Sequence, residues 1–72
     1  MADVEGPFDQ VAAELRLERR RRGMTQAEFA EFLGVSRAYI IDLEAGRATK
    51  QLTRLAAALA LLGMDLRAVK RQ

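Results

Sequence analysis

This 72-residue chain has no cysteine and no histidine. Without cysteine there can be no disulfide, no thiolate metal ligand and no thiol nucleophile. Without histidine the commonest general base and the commonest zinc ligand are gone as well. The acids that remain are scattered over what read as helix surfaces, so no catalytic constellation forms on paper, and neither a cofactor nor a metal is implied. The chain has a single proline, at position 7, which leaves everything after it open to helix. No apolar run approaches the length of a membrane span. The opening Met1-Ala2-Asp3-Val4-Glu5-Gly6 is acidic and short, unlike a signal peptide.

What is present is a globular composition, half of it apolar. A chain of this length makes one domain with a modest core, and such domains often gain stability by dimerising. The net charge of +2 is unevenly spread: residues 1–18 sum to −4 and residues 19–72 to +6. An acidic leader before a basic body suits a domain that turns one face to a polyanion. Charge balance alone favours an ordinary solvated surface, and only a motif can change that.

Residues 1–6 read as a flexible leader, 7–63 as the folded domain and 64–72 as a dimerisation segment. Pro7 suits a helix's first turn. Phe8, Val11, Ala12, Leu15 and Arg19 follow at helical spacing, predicting a helix from about Pro7–Asp9 to Arg22 that Gly23 ends. Arg19 to Arg22 occupy its last turn, where cations suit the helix dipole. Arg20 and Arg21 read as solvated, whereas Arg19 lies on the inward face.

The next stretch, Thr25 to Arg47, organises the chain. Thr25 and Glu28 form a capping box. Phe29, Ala30 and Leu33 share a helical face, and Gly34 can adopt the left-handed conformation that ends the helix. Ser36 caps a second helix carrying Ile40 and Leu43 inward, and Gly46 stops it. The small Ala30 lets two helices cross closely. Two short helices around a tight turn make a helix-turn-helix, whose second helix normally enters the DNA major groove.

After Arg47, Thr49 is a weak cap for a last helix with Leu52, Leu55, Ala56, Leu59 and Leu62 as its core stripe, ended by Gly63. The tail, Met64 to Gln72, alternates as a strand would, yet Asp65 could cap a helix of one or two turns. The strand is favoured, and with no other strand in the chain it would need one from a second subunit. Phe32 falls outside the inward face; its ring could form a contact surface for a partner protein, but the favoured expectation is that it folds down against the first helix or its leader, near Phe8.

The residues Thr25-Gln26-Ala27-Glu28, Ala30, Leu33-Gly34-Val35-Ser36, Ile40 and Leu43-Glu44-Ala45-Gly46-Arg47 resemble the helix-turn-helix domains of phage lambda Cro and repressor and the XRE-type regulators. Val35-Ser36-Arg37 with Leu43-Glu44-Ala45-Gly46 is most similar to the short HipB-type antitoxins. The resemblance, from Val11 to Leu66, implies an all-α lambda-repressor-like domain of four to five helices. In the HipB-type proteins a short C-terminal strand pairs across a dimer, which here would use Met64, Leu66 and Ala68. It also implies that Arg19 pairs with Glu44, holding the first helix against the motif.

Carried over by position, Arg37, Ala38 and Asp42 face base pairs, with Ser36 and Tyr39 at the groove margin. Arg37 can fork onto guanine and Ala38 can meet a thymine methyl. Asp42, where phage repressors often carry an amide, could accept from cytosine, orient Arg37, or simply position a basic neighbour. Gln26 heads its helix, where its amide and free N–H groups can hold a phosphate. Arg47 and Lys50 can hold another, and for Lys50 alone a solvated charge is nearly as good a reading.

The expected function is a dimeric, sequence-specific repressor on an inverted-repeat operator in double-stranded DNA, in the bacterial cytoplasm at the nucleoid. With no room for a ligand-sensing domain, control would come from concentration, proteolysis or a partner. An antitoxin bound by a HipA-type toxin kinase fits that. The alternatives are a stand-alone phage-type or restriction-controller repressor, or an interaction module that neutralises a partner without reading DNA.

Overall fold

A computed structural model of the chain describes residues 6–47 and 49–71. All but Gly6 of the expected leader lies outside them. Four helices follow in order: α1 (Asp9–Arg21), α2 (Gln26–Leu33), α3 (Arg37–Glu44) and α4 (Lys50–Leu61). There is no strand among the described residues. The architecture is the all-α, lambda-repressor-like one expected, with four helices rather than five.

Three helix starts are fixed by side chains three residues back. The Thr25 hydroxyl accepts from Glu28 N–H at 3.1 Å, and the Glu28 carboxylate accepts from Thr25 N–H at 2.8 Å, which completes the capping box. That hydrogen bond to the charged form holds the Glu28 carboxyl below its ordinary pKa. Ser36 Oγ accepts from Tyr39 N–H, and Thr49 Oγ1 from Leu52 N–H.

The turn between α2 and α3 depends on Gly34, whose φ of 72° is costly for any side-chain-bearing residue. It lets Gly34 N–H reach Glu31 C=O and Val35 N–H reach Ala30 C=O, satisfying the last carbonyls of α2. Open space surrounds the glycine, so the requirement is conformational.

α3 is the pivot, packed on both α2 and α1. Its Ile40 is fully buried at the centre of a small core with Phe8, Ala12, Ala30 and Ala56. Gly46, at φ 78°, ends α3 hard against the start of α1: a methyl group there would come within 2.8 Å of Asp9 Oδ1.

Three expectations about burial need correcting. Leu33 lies more than half exposed, although Phe29 and Ala30 beside it turn inward. On α4, Leu52 and Leu59 are half-buried but Leu55 and Leu62 are exposed. A core this small leaves part of an apolar stripe with nothing to cover it. The Phe32 ring is 82% exposed and does not fold onto α1 or Phe8.

The tail differs too. Residues 64–71 form neither strand nor helix and return to α1. There the Gln10 side chain accepts from Ala68 N–H at 2.8 Å and donates to Ala68 C=O at 3.0 Å. One amide thus takes both backbone groups that a neighbouring strand would have used. Lys70 adds a 3.1 Å ion pair to Glu18, which also meets Arg21 and Arg22. Hydrogen bonds from Arg22 and Lys70 hold the Glu18 carboxyl below its ordinary pKa.

Candidate nucleic-acid interface

The position of α3 is set from its buried side. Arg19 on α1 reaches Glu44 through two hydrogen bonds, Nε to Oε2 at 2.6 Å and Nη2 to Oε1 at 3.0 Å. Its remaining nitrogen, Nη1, donates to Met24 C=O at 2.7 Å. Both side chains are buried. Gln26 Nε2 adds a third hydrogen bond to Glu44 at 3.2 Å, and Arg16 donates to the Glu44 carbonyl at 3.2 Å. The Arg19 hydrogen bond pulls the Glu44 carboxyl below its ordinary pKa against the opposing effect of burial, and Glu44 raises that of Arg19. No buried side-chain polar atom among the described residues lacks a partner. A geometrically complete pair of this kind fixes the relation of α1 to α3.

With Ile40 and Glu44 turned inward, α3 presents its opposite side to solvent. Ala38, Tyr39 and Asp42 are exposed there, Arg37 is exposed as the first residue of the helix, and Ser36 caps it at the same end. The structure adds a residue that the sequence pattern did not single out. Ile41 is also exposed, three positions after Ala38 and beside Asp42. Helical spacing contains that signal, since residues three and four apart share a face; apolar character drew attention to Ile40 instead.

Asp42 does not pair with Arg37. Its Oδ1 accepts from Arg47 Nη1 at 2.9 Å, and the Arg47 backbone N–H donates to the Asp42 carbonyl at 2.9 Å. The backbone bond belongs to the motif that closes α3 around Gly46, in which a hydrophobic contact commonly joins these two positions. Here an ion pair takes its place. Arg37 has no ion pair among the described residues.

Tyr39, Asp42, Leu43, Arg47 and Thr49 together line a shallow hollow of about 130 Å³. Lys50 is the exposed first residue of α4. Gln26 heads α2 as expected, but its amide is engaged with Glu44 rather than free. No group of three or more acidic side chains that could hold a metal occurs among the described residues. No helix among them is long and apolar enough to cross a membrane.

A close crossing of α2 and α3 over Ala30, a left-handed glycine in the turn and an α3 with a buried and an open side make up the geometry of a helix-turn-helix. The helix-turn-helix family profile matches residues 15–69. The chain belongs to the XRE-type helix-turn-helix family. Among its relatives is an uncharacterized HTH-type transcriptional regulator, y4mF, of Sinorhizobium fredii. It is 33% identical over 63 residues, covering 88% of this chain and 82% of the relative. Another is the ImmF control region 10 kDa protein of Bacillus phage phi105, 36% identical over 63 residues, covering 83% and 67%. No solved structure matches this family member closely enough to count as a relative.

Proposed function

We propose that this protein is a sequence-specific DNA-binding transcription regulator that acts as a homodimeric repressor on an inverted repeat. The observation that carries the reading is α3 itself, anchored from behind by Ile40 and the Arg19–Glu44 pair, with Arg37, Ala38, Ile41 and Asp42 open in front. A rigid helix with one open face is what a major groove admits. Gln26, Ser36, Tyr39, Arg47 and Lys50 border that face and serve the phosphates, Gln26 chiefly through the N–H groups at the start of α2. The basic balance of residues 19–72 and the transcriptional regulator among the relatives support the same reading.

Titration of a random-sequence duplex over a series of salt concentrations tests it. Log K should fall linearly with log salt, with a slope of about −0.9 for each phosphate neutralised. Absence of salt-dependent binding would instead leave an interaction module.

Dimerisation draws support from apolar surface that one chain leaves uncovered: Leu55, Leu61 and Leu62 on α4, and Met64 and Val69 in the tail. Leu66 and Ala68 are half-buried against their own chain, so in the dimer they anchor the segment and Met64 meets the partner. Deleting residues 66–72 is expected to weaken dimerisation and operator binding together. Sedimentation that finds an unchanged dimer would move the interface to the α4 leucines.

A second reading, the antitoxin of a HipBA-like pair held by a HipA-type kinase, draws on the exposed Phe32, Leu33 and Val35 at the end of α2. Three exposed apolar side chains close together in the chain suit a protein partner. The phage relative supports a stand-alone phage-type repressor instead. The gene beside this one separates the two, a kinase-like toxin favouring the antitoxin.

A further inference from the structure

The Asp42–Arg47 pair is out of place as a stabilising device. Asp42 sits near the C-terminal end of α3, where the helix dipole disfavours a negative charge. The Asp42 and Arg47 side chains are 54% and 71% exposed, and exposed ion pairs add little stability. Nor is the carboxylate needed to end the helix, because the backbone bond from Arg47 to the Asp42 carbonyl already does so. The pair nevertheless lies on the open side of α3, between the groove-facing residues and the cations beyond the helix. There a carboxylate repels phosphates and an arginine attracts them.

We propose that Asp42 determines specificity by acting through Arg47, holding its guanidinium away from the DNA backbone unless the groove offers a base amino group in exchange. The inference rests on the DNA-binding reading above. Asp42 Oδ1 is committed to Arg47, and Oδ2 has no partner among the described residues. In the major groove, cytosine N4 and adenine N6 are donors, whereas guanine O6 and N7 and thymine O4 are acceptors. A donor opposite Asp42 neutralises the carboxylate and releases Arg47 to a phosphate. An acceptor there repels the carboxylate, which keeps its arginine. One base pair thereby controls whether Arg47 holds the backbone; on random DNA, bound through its phosphates without seating Asp42 against a base edge, no donor is offered and the hold is withheld. The backbone bond between the two residues keeps their main chains together throughout, so only the guanidinium has to move.

The test compares wild type, Asp42→Asn, Arg47→Ala and the double variant on random duplex and on an operator selected from a random pool, at several salt concentrations. Asp42→Asn should bind random DNA more tightly, roughly fivefold to tenfold at about 0.1 M salt, with a slope steeper by about 0.9 per chain bound. It should also lose discrimination at one base pair per half-site. The gain should disappear in the Arg47→Ala background. Because asparagine can itself pair with adenine, Asp42→Ser is the control and should show the same gain on random DNA. Thermal melts should show all variants folded.

An equal gain with and without Arg47 would overturn the proposal, since Asp42 would then act on phosphates directly. Weaker random-DNA binding by Asp42→Asn would overturn it too, showing that the carboxylate aims Arg47 at the backbone. If wild type shows no salt-dependent binding to any duplex, the DNA-binding reading fails, and this inference falls with it. The wild-type titration thus separates that failure from the other two.

Discussion

Replacing Glu44 with alanine is expected to remove a large share of the protein's stability. Three side-chain hydrogen bonds converge on its carboxylate, two from Arg19 and one from Gln26. The carboxylate is 4% exposed and Arg19 only 8%, so the variant would leave a guanidinium buried without its counter-charge. Breaking a buried pair in this way costs about 3–5 kcal/mol. Native domains hold only about 0.05–0.15 kcal/mol per residue, which for 72 residues is about 4–11 kcal/mol, so the loss is a large share of the total. A double-mutant cycle with Arg19→Ala should show strong coupling, with the second substitution recovering part of the loss. Additive effects would mean that the pair does not hold α1 to α3.

The same pair predicts how stability responds to acid. The Glu44 carboxyl titrates lower in the folded protein than its ordinary value because Arg19 favours the charged form. Its contribution is therefore complete above the unfolded value of about 4.3 and is lost as pH falls through the folded one. Wild type should lose stability steeply below about pH 4, and an Arg19→Ala chain less steeply. Melting temperature against pH for the two chains gives the comparison.

Features that operate over three or four residues were legible in the sequence. The Thr25–Glu28 box, the Ser36 and Thr49 caps and the Gly34 turn depend only on residue type and local spacing, and all are present. The Arg19–Glu44 pair, 25 positions apart, was reached by resemblance rather than by local pattern, and it too is present.

Features that depend on the whole molecule were not legible. Gln10 meets Ala68 across 58 positions, and nothing in either segment announces the other. An apolar stripe predicts a helix face, but whether Leu33, Leu55 and Leu62 are covered depends on how much protein is available to cover them. The partner of Asp42 was open among several cations. Arg47 takes that place because Gly46 swings the chain back over the end of α3.

The two arginines on the open side of α3 are expected to behave differently, although composition cannot tell them apart. Arg37 opens α3, in the turn that reaches furthest into a groove, and has no ion pair among the described residues. There it can fork onto guanine O6 and N7. Arg37→Ala should cost about 1–3 kcal/mol on the operator and little on random DNA. On the proposed reading, Arg47, past the end of α3, meets the DNA backbone and contributes charge once released from Asp42. Arg47→Ala should flatten the salt slope on the operator by about 0.9 for each guanidinium removed from a phosphate, while leaving preference at the Arg37 base pair unchanged.

The most direct measurement of whether α3 reads base sequence is the affinity of Arg37→Ala, relative to wild type, for the selected operator and for a random duplex at matched salt. A loss confined to the operator, with relaxed preference at one base pair per half-site, is the result predicted. An equal loss on both duplexes would reduce Arg37 to a phosphate clamp, and no loss on either would show that α3 does not enter the groove.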